Sequence, residues 1–139
     1  GATAVAGGTL ALGAASRIAD ASAVTVSAGA TFDLAGFSET VGSLAGGGAV
    51  ALGAATLSAG GDGSSTSYSG VMSGTGGLTK IGTGTVTLGG ANAYTGATAV
   101  VEGVLALGGN ERLSNLTAVT ISPGAYPETS GPTCSISVR

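Results

Sequence analysis

The sequence predicts an all-β protein: a right-handed parallel β-helix, or β-solenoid, of about six coils with an irregular C-terminal tail. Three observations carry this prediction. Residues 1–30 align without gaps on residues 96–125, with 17 identities in 30 positions. Self-similarity at a long, fixed offset marks architectures built by stacking. Within the repeat, apolar residues recur at every second position, the period of a strand rather than of a helix. Between these short runs stand glycine pairs and triplets, Gly46-Gly47-Gly48, Gly60-Gly61, Gly76-Gly77 and Gly89-Gly90, which read as tight turns.

Along the chain, the blocks GATAV (residues 1–5) and LALG (10–13) hold one register with their copies at 96–100 and 105–108. Ala14–Ala23, AASRIADASA, is rich in alanine, a helix former. Its copy GNERLSNLTA carries Gly, Asn, Ser and Thr and is a poor helix. Two copies of one unit are expected to share one structure, so an irregular excursion is predicted here. In Val24–Leu34 the even positions are Val24, Val26, Ala28, Ala30, Phe32 and Leu34, against Thr25, Ser27, Gly29, Thr31 and Asp33 at the odd ones. That alternation turns one face inward and one to water. Thr85-Val86-Thr87-Leu88 and Val119-Thr120-Ile121-Ser122 repeat it.

Coils of ~20–25 residues, stacked at the ~4.8 Å strand spacing, put four or five coils in the 95-residue unit and make an object roughly 30 Å long. A β-sandwich is the competing fold, but it gives no reason for the duplication. The expected organisation is a repeat domain over 1–125 (a unit 1–95 and a partial unit 96–125), followed by a non-repeat tail, 126–139.

Composition narrows the function classes. The chain of 139 residues has 28 glycines, two Phe, three Tyr, no Trp and 8% charged residues, against roughly 25% charged in an ordinary soluble domain. At 43% hydrophobic it is unlike a flexible linker. Collagen is excluded because glycine is not at every third position. A net charge of −3 with scattered bases argues against nucleic-acid binding, and so few charges permit self-association. No run approaches the ~20 apolar residues of a membrane helix. Gly1 is not preceded by a readable export signal, and one that existed is expected to have been removed or left out.

Gly77–Leu107, GLTKIGTGTVTLGGANAYTGATAVVEGVLAL, carries a more specific pattern. Leu78-Thr79-Lys80 is followed by Gly82 and Gly84, then by the alternating Val86 and Leu88. After these come Gly90, Asn92, Tyr94, Gly96, Thr98 and Val100, and finally Gly103, Leu105 and Leu107. This stretch resembles the autotransporter-associated β-strand repeat of bacterial passenger domains, with Val86 in place of the more usual Leu. Upstream segments such as GATFDLAGFSETVGSLAGGGAVAL look like passenger sequence too, so the resemblance covers about residues 1–125. It implies a right-handed β-helix, export, and a structural or adhesive role at the cell surface, with no catalytic residue to carry over. Two departures stand out: Gly1 corresponds to Gly96, in mid-repeat, and from Tyr126 the tail YPETSGPTCSISVR abandons the continuation seen after Ala30.

Residues that invite chemistry have blander readings. No histidine is present, which removes Ser-His-Asp and Cys-His catalysis and histidine-ligated metal. Lys80 lies among glycines, but Thr79-Lys80-Ile81 lacks the order of a phosphate loop, so it is expected to be a solvated strand-edge charge that discourages mispairing. Asp62 in GGDGSS reads as a turn aspartate, not a calcium repeat. Asp33 and Glu39 flank one turn, and a carboxylate pair of the glycosidase kind is the alternative there. Asn115-Leu116-Thr117 is a glycosylation sequon that a bacterial origin would leave silent. Thr83, Thr85 and Thr87 read as a polar strand face.

The function expected is non-enzymatic: an extracellular surface stalk or adhesin without a cofactor, whose partners are host or cell-surface ligands or further copies of itself stacked head to tail into a filament or biofilm-matrix fibre. Gly1, Tyr126 and Cys134 are the candidate inter-subunit or latch residues. A carbohydrate-binding or carbohydrate-acting protein on the same scaffold is the alternative.

Overall fold

The computed structural model describes residues 1–108, 113, 114 and 116–122, together with the backbone of Cys134–Val138. Strands follow one another around a three-sided stack. The first coil holds β1 (Ala2–Val5) and β2 (Thr9–Ala11), and the second β3 (Ala23–Val26), β4 (Thr31–Asp33) and β5 (Glu39–Val41). The third has β6 (Ser43–Gly46), β7 (Ala49–Gly53) and β8 (Thr56–Ala59), and the fourth β9 (Thr66–Tyr68), β10 (Met72–Gly74) and β11 (Gly77–Lys80). The fifth carries β12 (Thr85–Leu88) and β13 (Thr98–Val100), the sixth β14 (Gly103–Leu107) and β15 (Val119–Ile121), and β16 (Cys134–Val138) begins another turn. No helix occurs among the described residues.

Every pairing is parallel. The first sheet runs β1-β3-β6-β9-β12-β14-β16, the second β10-β7-β4-β2 and the third β15-β13-β11-β8-β5. Six turns separate β1 from β16, and hydrogen bonds between neighbouring coils link residues 17 to 23 positions apart. The stack is therefore the predicted solenoid. At this rung spacing it is about 29 Å long.

In-register pairing makes the core a set of ladders. Phe32, Val50 and Met72 stand one above another in the second sheet and are fully buried. In the first sheet Val26, Gly46, Tyr68, Leu88 and Leu107 follow in line. The residues between them, such as Thr25 and Ser67, face outward and are exposed. Val or Leu contributes ~1.5–3 kcal/mol when fully buried, and the backbone pairing supplies the remaining cohesion in a core so poor in aromatics.

The two copies of the repeat share local structure, as expected. Residues 2–5 and 98–100 are both strands, and so are 9–11 and 103–107, and 23–26 and 119–121. Residues 12–22 form the predicted excursion, with neither helix nor strand. The copies nevertheless occupy different faces: β1 and β3 lie in the first sheet and their counterparts β13 and β15 in the third, while β2 of the second sheet corresponds to β14 of the first. The repeat length is not a whole number of coils, so each copy is rotated by one face.

The tail differs from expectation. Its backbone at Cys134–Val138 is not irregular but pairs with β14, Leu105 opposite Ile136 and Leu107 opposite Val138. The reason is in its order: Cys-Ser-Ile-Ser-Val alternates at period two, although it has left the repeat's consensus.

Close stacking predicts opposite outcomes at two glycines. A Cβ on Gly76 would overlap the Ala55 carbonyl, whereas one on Gly7 would meet nothing within 4 Å. In urea unfolding, Gly76→Ala is expected to cost about 3 kcal/mol, and Gly7→Ala less than about 0.5 kcal/mol.

Candidate functional site

The polar residues of the Gly77–Leu107 pattern converge at the corners of the fourth to sixth coils. β11 places Leu78 and Lys80 on the same, inward side, because they are two apart on one strand. Lys80 stands in the ladder Val41, Ala59, Lys80, Val100, Ile121 and is 1% exposed. The expectation of a solvated edge charge is thus corrected: register decides the direction of this side chain, and its neighbours in the ladder face the core.

The ammonium reaches the corner after β11, where Nζ donates to the carbonyls of Ile81 and Gly82 and, at 3.4 Å, to that of Glu102 on the next coil. Glycines make the room. A Cβ on Gly60 would lie 2.8 Å from Nζ, and one on Gly103 2.9 Å from it. Burial pushes the Lys80 pKa below its ordinary value, and the charges of Glu102 and Asp62 partly offset this. A void of about 10 Å³ beside it, lined by Leu44, Met72, Leu78, Leu88 and Leu105 among others, is at most water-sized.

The second corner belongs to Asn92 and Tyr94, again two apart and both buried. The fifth coil has no strand on the second face. Asn92 substitutes for one there: its Oδ1 accepts from the Met72 amide at 2.9 Å and its Nδ2 donates to the Gly90 carbonyl. The Ala93 amide donates to the Met72 carbonyl. Tyr94 Oη is 2.6 Å from Thr98 Oγ1, which is 3.0 Å from Thr117 Oγ1. Thr117 donates to the Gly96 carbonyl, so Thr98 donates to Thr117 and Tyr94 to Thr98, each hydroxyl having one proton to give. Burial raises the Tyr94 pKa to about 12, the Thr98 contact partly opposing it, and burial raises that of Tyr68 further. Tyr68 is fully buried and donates to the Gly48 carbonyl at 2.7 Å.

The remaining candidates hold backbone. Glu39, 3% exposed, accepts the Arg17 amide at 2.7 Å and the Ile18 amide at 3.2 Å, pinning the excursion against the edge of the third sheet. Asp33 accepts the Ala35 amide, so these two carboxylates serve two separate segments. Asp62 closes the expected turn, accepting both the amide and the hydroxyl of Ser64. With Tyr68 and Tyr94 inside, the acid-and-aromatic groove that the carbohydrate reading calls for is not formed by these residues. An open groove of about 350 Å³ follows one corner past Gly29, Thr31, Gly48, Ser69 and Gly70, and its lining carries no charge.

Of the candidate latch residues, Gly1 and Cys134 lie far apart in this chain. Gly1 is exposed on the first coil and Cys134 opens β16, at opposite edges of the seven-stranded sheet. Tyr126 lies outside the described residues, as does the sequon residue Asn115. Lys80, Asn92 and Tyr94 were legible as motif letters, and their inward direction was also available: Lys80 is in phase with Leu78 and Tyr94 with Asn92.

Against known proteins, residues 78–107 match the model of the passenger-associated-transport-repeat. The chain is also 43% identical, over 112 residues, to the adhesin BmaC autotransporter of Brucella suis biovar 1 (strain 1330). That alignment covers 76% of this chain and spans 3% of the adhesin's length. No solved structure matches the chain.

Two outcomes follow from the buried polar groups. Lys80→Met leaves the corner carbonyls without their donor and is expected to cost about 2–3 kcal/mol in urea unfolding. The tyrosines predict an alkaline transition. Below pH 10 both folded and unfolded chains keep the phenolic protons. Above it the unfolded chain releases them and the folded one retains them, so stability falls as pH rises from 10 towards about 12, by ~1.4 kcal/mol per pH unit for each tyrosine. Urea midpoints measured across that range are expected to drop steeply, and Tyr94→Phe to reduce the slope by about half.

Proposed function

Because this chain carries a passenger-associated-transport-repeat within autotransporter passenger sequence, and so stands outside the cell at its surface, we propose that it serves as a non-enzymatic stalk segment of a surface adhesin. One observation carries the reading most directly. The polar side chains of the repeat, Lys80, Asn92, Tyr94 and Thr98, are all buried and bonded to the scaffold's own corners. They hold coils together and are not aimed at a ligand. On the third sheet the outward row is small: Thr40, Ser58, Thr79, Ala99 and Thr120. A flank of this kind suits spacing and broad, shallow contact with surface ligands better than catalysis.

Self-stacking is a second reading, and apolar side chains left open in two of the coils favour it. Leu10 in the first described coil is 37% exposed, and Val119 and Ile121 in the sixth are 45% and 44% exposed, although all three occupy positions that are interior elsewhere in the stack. Strand edges and apolar side chains left open together promote edge-to-edge association.

Microspheres coated with the purified chain are expected to attach to cultured animal cells more than spheres coated with an unrelated β-protein, and to release no reducing sugar from polysaccharides. Attachment equal to the control would overturn the adhesive part, and sugar release would overturn the non-enzymatic part. Sedimentation at rising concentration separates the readings, since head-to-tail stacking gives an open-ended series of species and a stalk segment a single one.

A further inference from the structure

The excursion between β2 and β3 carries an exposed arginine beside a buried anchor. Residues 12–22 are neither helix nor strand. Ser16 has φ 54°, in the left-handed region that a residue with a side chain enters at a cost. Ala15, Ser16, Arg17, Ala19 and Asp20 are exposed, while Ile18 among them is 9% exposed and belongs to the core cluster. The second copy keeps the couple as Arg112-Leu113, and Leu113 packs against the core as well.

Two features set the Arg17–Ile18 bond apart. The first is access. Lys80–Ile81 also follows a basic residue, but Lys80 is 1% exposed and lies on a strand paired on both sides. A peptidase that recognises a cationic side chain cannot take hold there without unwinding a coil. Arg17 stands in solvent on a segment outside the sheets, and lifting that segment is a local opening, not global unfolding. The second feature lies beneath the bond. Glu39 is 3% exposed, and the partners of its carboxylate are backbone amides. Its Oε2 accepts from Arg17 at 2.7 Å and from Ile18 at 3.2 Å, and its Oε1 from Thr40 at 3.3 Å. None of these partners carries a charge, and a buried carboxylate is matched best by a cation.

Hydrolysis supplies that cation. Water adds across the Arg17–Ile18 amide and the C–N bond breaks. Arg17 is left with a carboxylate, and the Ile18 nitrogen leaves as an ammonium. That nitrogen already lies 3.2 Å from Glu39 Oε2, and the buried Ile18 side chain holds it in place. We infer that Arg17–Ile18 is a processing site for an arginine-specific serine peptidase, and that Glu39 receives the new Ile18 ammonium in a buried ion pair. The pairings of β1 with β3 and of β2 with β4 do not pass through this bond. Processing therefore replaces a neutral tether by a charged one within the excursion. This goes beyond the stalk reading and does not rest on it.

The test is limited digestion with trypsin of the folded chain carrying Arg112→Gln, which leaves Arg17–Ile18 and Lys80–Ile81 to compete. Mass spectrometry is expected to show the first new N-terminus at Ile18, with Lys80–Ile81 cut at least about tenfold more slowly. The nicked chain is then acetylated at pH 8 with an N-hydroxysuccinimide ester. A free α-amine is largely reactive at that pH, whereas an ion-paired ammonium is held in its charged, unreactive form. Gly1 is the internal reference, since it is exposed and a Cβ there would meet nothing within 4 Å. The Ile18-to-Gly1 labelling ratio is expected to be at least about tenfold lower in buffer than in urea. Glu39→Gln keeps an acceptor but no charge, so it is expected to be cut at the same bond and to lose the protection. A first cut at Lys80–Ile81, an equal ratio in buffer and urea, or protection retained in Glu39→Gln would overturn the inference. Should that variant fail to fold, the comparison of buffer with urea in the parent decides alone. Attachment to cells is not read, so the adhesive reading stands or falls separately.

Discussion

Everything in this molecule depends on parallel pairing in register. Each strand lies directly over its counterpart one coil earlier, so a side chain's inward or outward direction is inherited from the rung beside it. One ladder illustrates the force of this. Val41, Ala59, Lys80, Val100 and Ile121 share a register, and the lysine goes inward with its neighbours despite its charge. Slipping one residue would free the lysine and expel the whole apolar set, which costs far more than finding carbonyl partners for one ammonium.

Those partners come from the corners. A three-sided coil breaks its strand pairing at each turn and leaves carbonyls and amides that must be satisfied inside. Lys80 serves the corner between β11 and β12, Asn92 replaces a missing strand, Tyr94 with Thr98 and Thr117 ties two coils, and Glu39 holds the excursion. The residues that look most chemical in the sequence are thus the ones the backbone consumes. The outer row of the third sheet is left to threonine, serine and alanine, which suits broad, shallow contact at a cell surface.

The repeat adds a second constraint. Its copies fold alike, with the same strands and the same hydroxyl pair, but they sit on different faces of the stack. Local structure follows local sequence, while the face is set by how many residues the preceding coils have used.

The sequence by itself determined the fold class. The 17 matches between residues 1–30 and 96–125, the alternation in Val24–Leu34 and the glycine pairs at the corners suffice, because period-two patterning and stacking are local and repetitive. It also determined that residues 14–23 are not a helix, through the poorer copy of that segment. Only the tertiary structure decided which carbonyls receive the Lys80 ammonium, that Glu39 and Asp33 hold separate segments, that Cys134–Val138 pairs with β14, and that equivalent strands change sheets. Each of these depends on which coil lies above which. That is a matter of cumulative coil length and of room left by glycines at distant positions such as Gly60 and Gly103, and it is not written in any one stretch of the chain.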